Sequence, residues 1–373
     1  MITTEILPDD VALRLHRRSR VLEAMEVAGV DVMVLGREAN ARYVSGVPRL
    51  WLAGTRPFGA GCVLVRDSGA VHLLTSWDEG VPDDIPHDNL FGYTFNPANT
   101  LAALRAIQGA DRFAVVATDA MSAGAAGMLA AAFPAARVVD GETLLRGVRA
   151  IKSDDEVQVI RRAVRIAEDA ADTTAAAVRP GTTDRHLTAV FMESMGGAGV
   201  CMPSVQDVAW TTSRVDPWHR AGRDSVVAEG DLVVLEAGVM VDGYAGELIR
   251  TVVAGEADDA ARALLRRRDT LWDALVGACR PGAPLAGLLH AYEAVGEPPP
   301  PTPVAHGLGL GFDAPVVSAH LPASAAARRL EPGMVLALTA SVWQAGVGAA
   351  VGQEPVLITD GGPVVLSSRP FAP

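Results

Sequence analysis

Apolar and polar residues in the first half of the chain recur with the periods of both helices and strands. Residues 11–28 place apolar side chains at helical spacing between basic ones, which predicts an amphipathic helix. The apolar run at 32–35 predicts a buried strand, and the alternation over 58–75 predicts a β-hairpin. Helical and strand patterns continue through 98–148. This succession is typical of an α/β domain, which we predict over residues 1–148.

The second half opens with the signature of a long helix. Ser153 and Glu156 have the spacing of a capping box, in which each side chain binds the backbone N–H of the other residue. An apolar stripe follows at helical spacing: Val157, Ile160, Val164 and Ile166. Another helix is predicted over residues 258–278. We therefore predict a second domain over residues 149–373.

Residues 231–251 carry two acids in an otherwise apolar hairpin pattern. Glu236 interrupts a β-branched run, a Gly-rich turn follows at 241–244, and Glu247 lies on the second predicted strand. An acid inside such a run is unusual, because charged side chains are seldom buried without a partner. Two carboxylates brought together across a hairpin repel unless they share a proton, a metal ion or a cationic substrate. The hairpin is therefore the predicted centre of the functional site.

Composition and charge narrow the class of protein. The 373 residues carry a net charge of −12 with a pI near 5.1, which argues against a nucleic-acid-binding surface. The three cysteines have neither paired nor metal-type spacing, as expected in a reducing compartment: Cys62, Cys201 and Cys279. Residues 1–18 lack the apolar segment of a signal peptide, and no apolar run reaches the roughly 18 residues that a membrane span needs. We expect a cytoplasmic protein without a membrane or nucleic-acid partner.

Two histidines stand in settings that suit a site. His306 begins a His-Gly-Leu-Gly-Leu-Gly run after a Pro-rich segment, and glycines let a backbone approach a ligand closely. His219 lies 11 residues before Gly230, and an imidazole there could exchange protons near neutral pH. Trp210 and Trp218 flank this segment and could wall a pocket for an apolar or cationic group. Taken alone, either histidine could also be structural.

Four stretches resemble one known family, in the order in which that family has them. They are NARYVSG at 40–46, KSDDE at 152–156, GYAGELIRT at 243–251 and HGLGLG at 306–311. The chain resembles the creatinase/aminopeptidase P/methionine aminopeptidase family, whose catalytic domain has the pita-bread fold. The resemblance implies an α/β (α+β) protein, with a creatinase-type N-terminal domain followed by a pita-bread domain.

The resemblance also implies a metal site, from which this chain departs. The family's two metal-binding aspartates correspond to Glu236 and Glu247, and its metal-binding histidine corresponds to His306. Two further family glutamates correspond to Thr339 and Gln353. Because two metal ions need several carboxylates to offset and bridge them, we expect no two-metal site and predict that there is no cofactor. The alternative is one divalent metal such as Zn or Mn, held by Glu236, Glu247 and His306.

The favoured interpretation is a metal-independent, creatinase-like hydrolase that cleaves an amidino or amide C–N bond in a small, cationic substrate. The resemblance implies His219 as the acid–base group and Glu236 and Glu247 as partners of the cationic group. His306 and Gln353 would orient the substrate. Three alternatives stay open: a Xaa-Pro-type dipeptidase or aminopeptidase with one metal ion, a lyase that uses the same acid–base residues, and a non-catalytic interaction module.

Further substrate contacts are predicted at the rim of the site: Thr339, Asp313, Trp210, Trp218 and Arg56. Asp313 stands where the family has a second histidine, seven residues after His306. A slip of one residue would replace Gln353 by Glu354 in the site, since neighbours in a strand face opposite sides. The resemblance implies a homodimer in which the partner's N-terminal domain completes the pocket, with Arg56 as the candidate residue.

Overall fold

The computed structural model describes residues 10–47, 61–75, 80–91, 96–119, 121–217, 219–222, 225–369 and 371. The chain divides into two compact units, Met1–Arg149 and Ala150–Pro373. The domain boundary after residue 148 stays a prediction. In the described part of the chain, no helix combines the length and the apolar composition that crossing a membrane requires.

The N-terminal unit is built on a six-stranded mixed sheet. Its helices are α1 (Asp10–Ala28), α2 (Glu38–Ser45), α3 (Pro97–Ala106), α4 (Ala123–Ala132) and α5 (Glu142–Ala150). Its strands are β1 (Val32–Leu35), β2 (Cys62–Val65), β3 (Val71–Leu74), β4 (Leu90–Phe91), β5 (Val115–Thr118) and β6 (Arg137–Asp140). The strand order is β4-β3-β2-β1-β5-β6, with β1 antiparallel to β2 and parallel to β5. The predicted α/β architecture is confirmed.

The C-terminal unit is built on an eight-stranded sheet in which every strand pair is antiparallel. Its helices are α6 (Asp154–Ala175), α7 (Asp184–Gly197), α8 (Asp259–Ala278), α9 (Ala286–Ala294) and α10 (Ala323–Ala326). Its strands are β7 (Ala209–Thr211), β8 (Leu232–Val241), β9 (Tyr244–Val253), β10 (Ala305–Gly309), β11 (Gly311–Val317), β12 (Val335–Gln344), β13 (Gly348–Thr359) and β14 (Gly362–Val365). The order is β11-β10-β12-β13-β9-β8-β7, and β14 pairs with β13.

Helix α6 begins as the sequence predicts. The Ser153 hydroxyl accepts a hydrogen bond from the N–H of Glu156, and the Glu156 carboxylate accepts one from the N–H of Ser153. These bonds satisfy two of the backbone donors that a helix start leaves without partners. Val157, Ile160 and Val164 of the predicted apolar stripe are buried and α6 packs against β8 and β9, whereas Ile166 is only half-buried.

The hairpin of β8 and β9 is also as predicted, and it is closed by a two-residue turn. Asp242 and Gly243 both have positive φ, at 48° and 84°, which matches the right-handed twist of the two strands. Behind the hairpin, a Cβ atom on Gly246 would lie 2.3 Å from the carbonyl carbon of Ala163 in α6. Only glycine at this position lets the strand and the helix backbone approach so closely.

Candidate active site

The β8–β9 hairpin brings its two acids to one side of the sheet. Glu236 pairs with Ile249, and Gly238 pairs with Glu247. Residues two apart in a strand face the same side, so Glu236 and Glu247 are diagonal neighbours on one face. The two carboxylates predicted from the sequence therefore do come together.

Three more polar side chains join this face from the neighbouring strands. Gln353 of β13 pairs with Ile249, and Thr339 of β12 pairs with Gln353. His306 of β10 pairs with Ala337, two residues before Thr339. By the same alternation, all three side chains point to the side that carries the carboxylates. We call the resulting set of five the polar face: Glu236, Glu247, His306, Thr339 and Gln353.

Hydrogen bonds inside the polar face divide it into two groups. His306 Nε2 lies 3.3 Å from Glu247 Oε2. The Thr339 hydroxyl donates to the Gln353 amide oxygen at 2.8 Å, and both residues are buried. Thr339 and Gln353 thus form a neutral pair of side chains that bind each other.

Burial raises the pKa of Glu236, the carboxylic acid on β8. The pKa of Glu236 is raised to about 7, first because burial disfavours its charged form and then because Glu247 repels that charge. The positive charge of Arg220 opposes this rise, and Asp207 adds to it. Glu236 therefore exchanges its proton near neutral pH, which an ordinary surface glutamate does not do.

The next residue after Gln353 faces the other side of the sheet. Glu354 accepts a hydrogen bond from Arg250, and both residues are buried. Burial raises the pKa of Glu354 to about 7, while the Arg250 charge acts in the opposite direction. The register therefore places Gln353, and not Glu354, on the polar face.

Asp313 does not join the polar face. It follows Phe312 in β11, and the two side chains point to opposite sides of that strand. Asp313 lies 3.6 Å from the ammonium group of Lys152, and both side chains are buried. A register irregularity between His306 and Gly307 shifts the pairing of β10 with β11. The family resemblance predicts Asp313 as a substrate contact, whereas the register places it on the other side of the sheet.

Phe312 takes the place on the polar side that the sequence suggested for Asp313. Its ring stacks on the imidazole of His306, with centroids 3.8 Å apart and an interplanar angle of 14°. The side chain is nevertheless 60% exposed, which is unusual for a large aromatic residue. Phe312 could not be singled out from the sequence, which shows at this position only an apolar residue after a Gly-rich run.

His219 lies outside the polar face. Its side chain is 73% exposed, and Nδ1 lies 2.8 Å from a carboxylate oxygen of Asp216. Among the described residues, no hydrogen bond or ion pair joins His219 to the polar face. Its acid–base role stays a prediction. Trp218 and Arg56, the other predicted contacts of this kind, lie outside the described residues.

The residue after His219 does reach the site. Trp210 of β7 pairs with Val234, which faces the same side as Glu236. The guanidinium carbon of Arg220 lies 4.4 Å from the Trp210 ring centroid, and its Nη2 lies 3.0 Å from Asp207. The sequence carries one signal for Arg220, a base directly after the candidate histidine.

The donor chemistry of the polar face limits the metals it could hold. Two carboxylates and one imidazole suit a single divalent ion, whereas two ions need more carboxylates to offset and bridge them. Where a second ion would need acids, Thr339 and Gln353 offer a hydroxyl and an amide. Within the described ranges, no three His, Cys, Asp or Glu side chains are arranged to hold a metal ion. The residues present therefore do not fit a two-metal centre.

Comparison with known proteins gives a consistent result over both units. Residues 158–360 match metallopeptidase family M24, and residues 17–151 match the creatinase/prolidase N-terminal domain. An uncharacterized peptidase of Staphylococcus aureus (strain bovine RF122 / ET3-1) is 23% identical over 229 residues, which cover 61% of this chain and 65% of the relative. The chain thus matches slightly less than two thirds of that relative's length.

Solved structures share the fold. The Xaa-Pro dipeptidase from Bacillus anthracis has a TM-score of 0.74 at 18% identity, over 96% of this chain and 99% of the other. The X-Pro aminopeptidase from Thermotoga maritima MSB8 has a TM-score of 0.76 at 17% identity, over 94% and 99%. At these identities the likeness establishes the fold alone. The predicted succession of a creatinase-type domain and a pita-bread domain is confirmed.

The prediction that the protein has no cofactor is wrong. The match to a metallopeptidase family over 158–360 points to a metal cofactor. The prediction gave too much weight to the replaced ligands, because losing donors for two ions does not remove the donors for one. The family is one of peptidases, which hydrolyse C–N bonds, in line with the predicted reaction class. Because the M24 match covers more than half of its length, the chain belongs to metallopeptidase family M24.

Proposed function

We propose that the protein is a peptidase of the Xaa-Pro type that hydrolyses short peptides. The observation that supports this most is the polar face, where two carboxylates, an imidazole, a hydroxyl and an amide meet on one side of the sheet. The names of the structurally similar Xaa-Pro dipeptidase and X-Pro aminopeptidase support the substrate class. This proposal takes the place of metal-independent cleavage of an amidino bond.

The residues of the polar face would divide the work. Glu236, Glu247 and His306 are the donors that one divalent ion would use, and their side chains would have to converge on it, because within the described ranges no such triple is arranged around a common point. The chemistry the ion supplies when bound is polarisation of a carbonyl and activation of water. Glu247 orients the imidazole of His306 through their 3.3 Å contact. Thr339 fixes the amide of Gln353, whose N–H groups would then donate to a bound peptide.

The proposal is tested with purified protein and the dipeptide Ala-Pro, with Mn²⁺, Zn²⁺ or a chelator added. We expect release of proline that depends on added metal. Glu247→Gln and His306→Ala should each lower kcat/KM at least about 100-fold, because each removes a metal donor rather than a supporting contact. Glu256→Gln, an exposed glutamate just after β9, is the matched control and should keep the wild-type rate.

The absence of proline release under all of these conditions would contradict the proposal. Full activity of both site variants would do so as well, since the polar face would then not be the active site. The homodimer and the cytoplasmic location remain part of the proposal. The predicted contribution of Arg56 to a partner's site belongs with them.

A further inference from the structure

An aromatic ring marks the β7 edge of the polar face. Trp210 pairs with Val234, and Val234 faces the same side as Glu236 two residues later. Trp210 therefore lies beside the carboxylates and not behind the sheet. Its ring provides a flat surface next to the acids, on which a planar group can stack.

Arg220 occupies that surface. Its guanidinium lies over the Trp210 ring at 4.4 Å and binds Asp207 at 3.0 Å. The backbone is held as well, because Arg220 forms a β-bridge with Thr212 and the next residue, Ala221, donates to the carbonyl of Thr211. The guanidinium is thus fixed by stacking, an ion pair and backbone pairing. It is 43% exposed, so a ligand can reach it.

The polar face therefore carries opposite charges at separate places. Glu236 and Glu247 lie at its centre, whereas Arg220 lies over the Trp210 ring at the β7 edge. The guanidinium of Arg220 therefore offers positive charge to an anionic group of a ligand at a place apart from the centre. Guanidinium is the side-chain group best suited to a carboxylate, because its N–H groups match the two oxygens.

We propose that Arg220 is a specificity-determining residue that binds the C-terminal carboxylate of a dipeptide substrate. The inference rests on the proposed peptidase function and refines it. A dipeptide has its carboxylate one residue after the cleaved bond, whereas a longer peptide places an uncharged amide there. Arg220 thus selects dipeptides over longer peptides and over peptides with a blocked C-terminus.

The test compares Ala-Pro with its C-terminal amide, Ala-Pro-NH₂, in the full-length protein. Arg220→Ala should lower kcat/KM for Ala-Pro by about 10- to 100-fold, mainly through KM, which is the range for a lost charge-assisted hydrogen bond. The rate on Ala-Pro-NH₂ should stay within about twofold of wild type. Arg220→Lys should recover part of the loss, because it restores the charge but not the planar fork.

Arg214→Ala is the matched control. Arg214 has nearly the same exposure, at 45%, and pairs with Asp231 in the same part of the chain. It should leave the rates on both substrates unchanged. The unfolding temperature of each variant shows whether the fold is retained.

Equal losses on Ala-Pro and Ala-Pro-NH₂ would overturn the inference and make Arg220 a counter-charge for Glu236. No loss on either substrate would overturn it too. If the wild-type protein hydrolyses neither, the proposed function fails and calorimetric binding of the same two peptides decides about Arg220. Tighter binding of the acid, lost in Arg220→Ala, would support the inference, and equal binding of acid and amide would reject it.

Discussion

At the scale of single residues, the most unusual property of the site is the proton affinity of Glu236. Its pKa is raised to about 7, so its protonated form is favoured in the folded chain. Its contribution to stability is present below the ordinary pKa near 4.5 and is lost as the pH rises through about 7. Above that range, the folded protein holds a buried charge next to Glu247.

Glu236→Gln replaces this carboxyl with a neutral group of the same shape. We expect the variant to raise the free energy of unfolding in metal-free protein, by about 2 kcal/mol more at pH 8 than at pH 5. Urea denaturation at both pH values, with a chelator present, measures this difference. Glu256→Gln serves as the exposed control without such a difference, and an equal effect of Glu236→Gln at both pH values would contradict the prediction.

The neutral Thr339–Gln353 pair leads to a prediction about metal content. The double variant Thr339→Glu/Gln353→Glu adds two carboxylates to the polar face, so it should hold about two divalent ions per chain where the wild-type protein holds no more than one. Elemental mass spectrometry after equilibration with Mn²⁺ gives the ratio. Thr339→Gln, which adds bulk without charge, should not raise it. Two ions in the wild-type protein would show that the reasoning from donor chemistry is wrong.

The same residues show what a sequence can and cannot reveal about a site. Glu236, Glu247 and His306 stand in motifs whose order is kept, so they could be found without coordinates. Phe312 could not, because its direction follows from the pairing of β11 with β10, in which Phe312 lies opposite Leu308. The position of Arg220 depends on an isolated backbone bridge to Thr212 across an irregular segment, which carries no strand pattern in the sequence.

At the scale of elements, the contact between β9 and α6 depends on one glycine. Gly246→Ala would place a Cβ atom 2.3 Å from the backbone of Ala163, so the strand or the helix must move. We expect a loss of about 2–4 kcal/mol in the free energy of unfolding, the range for overpacking combined with backbone displacement. Gly277→Ala in α8 is the matched control, since no neighbouring atom lies within 4 Å of the added Cβ.

That control should be neutral or slightly stabilising, because alanine favours helices over glycine. Chemical denaturation of both variants measures the difference, and equal stabilities would contradict the close contact. Among the elements, the long helix and the β8–β9 hairpin could be predicted because their signals are local. The order of the strands could not, since β12 and β13 are inserted between β10 and β9 by pairings distant in sequence.

At the scale of the whole molecule, the two units give different amounts of information about function. The N-terminal unit matches the creatinase/prolidase N-terminal domain over 17–151, whereas the match that shows the family, over 158–360, and every residue of the polar face lie in the C-terminal unit. Family membership indicates a metal, and the donor set limits how many ions there can be. The two findings are compatible, because the family match concerns the presence of a metal and the donor set concerns the number of ions.

The close backbone contact at Gly246, one residue before Glu247, also limits the movement of strand β9. The strand that carries this carboxylate cannot yield without displacing α6, so the centre of the site is as stiff as the interior of the domain. Strand β9 cannot move back to make room for a peptide that does not fit this centre. In the proposed peptidase, selection among peptides of different size would therefore be made at the rim, where side chains can turn without moving the sheet.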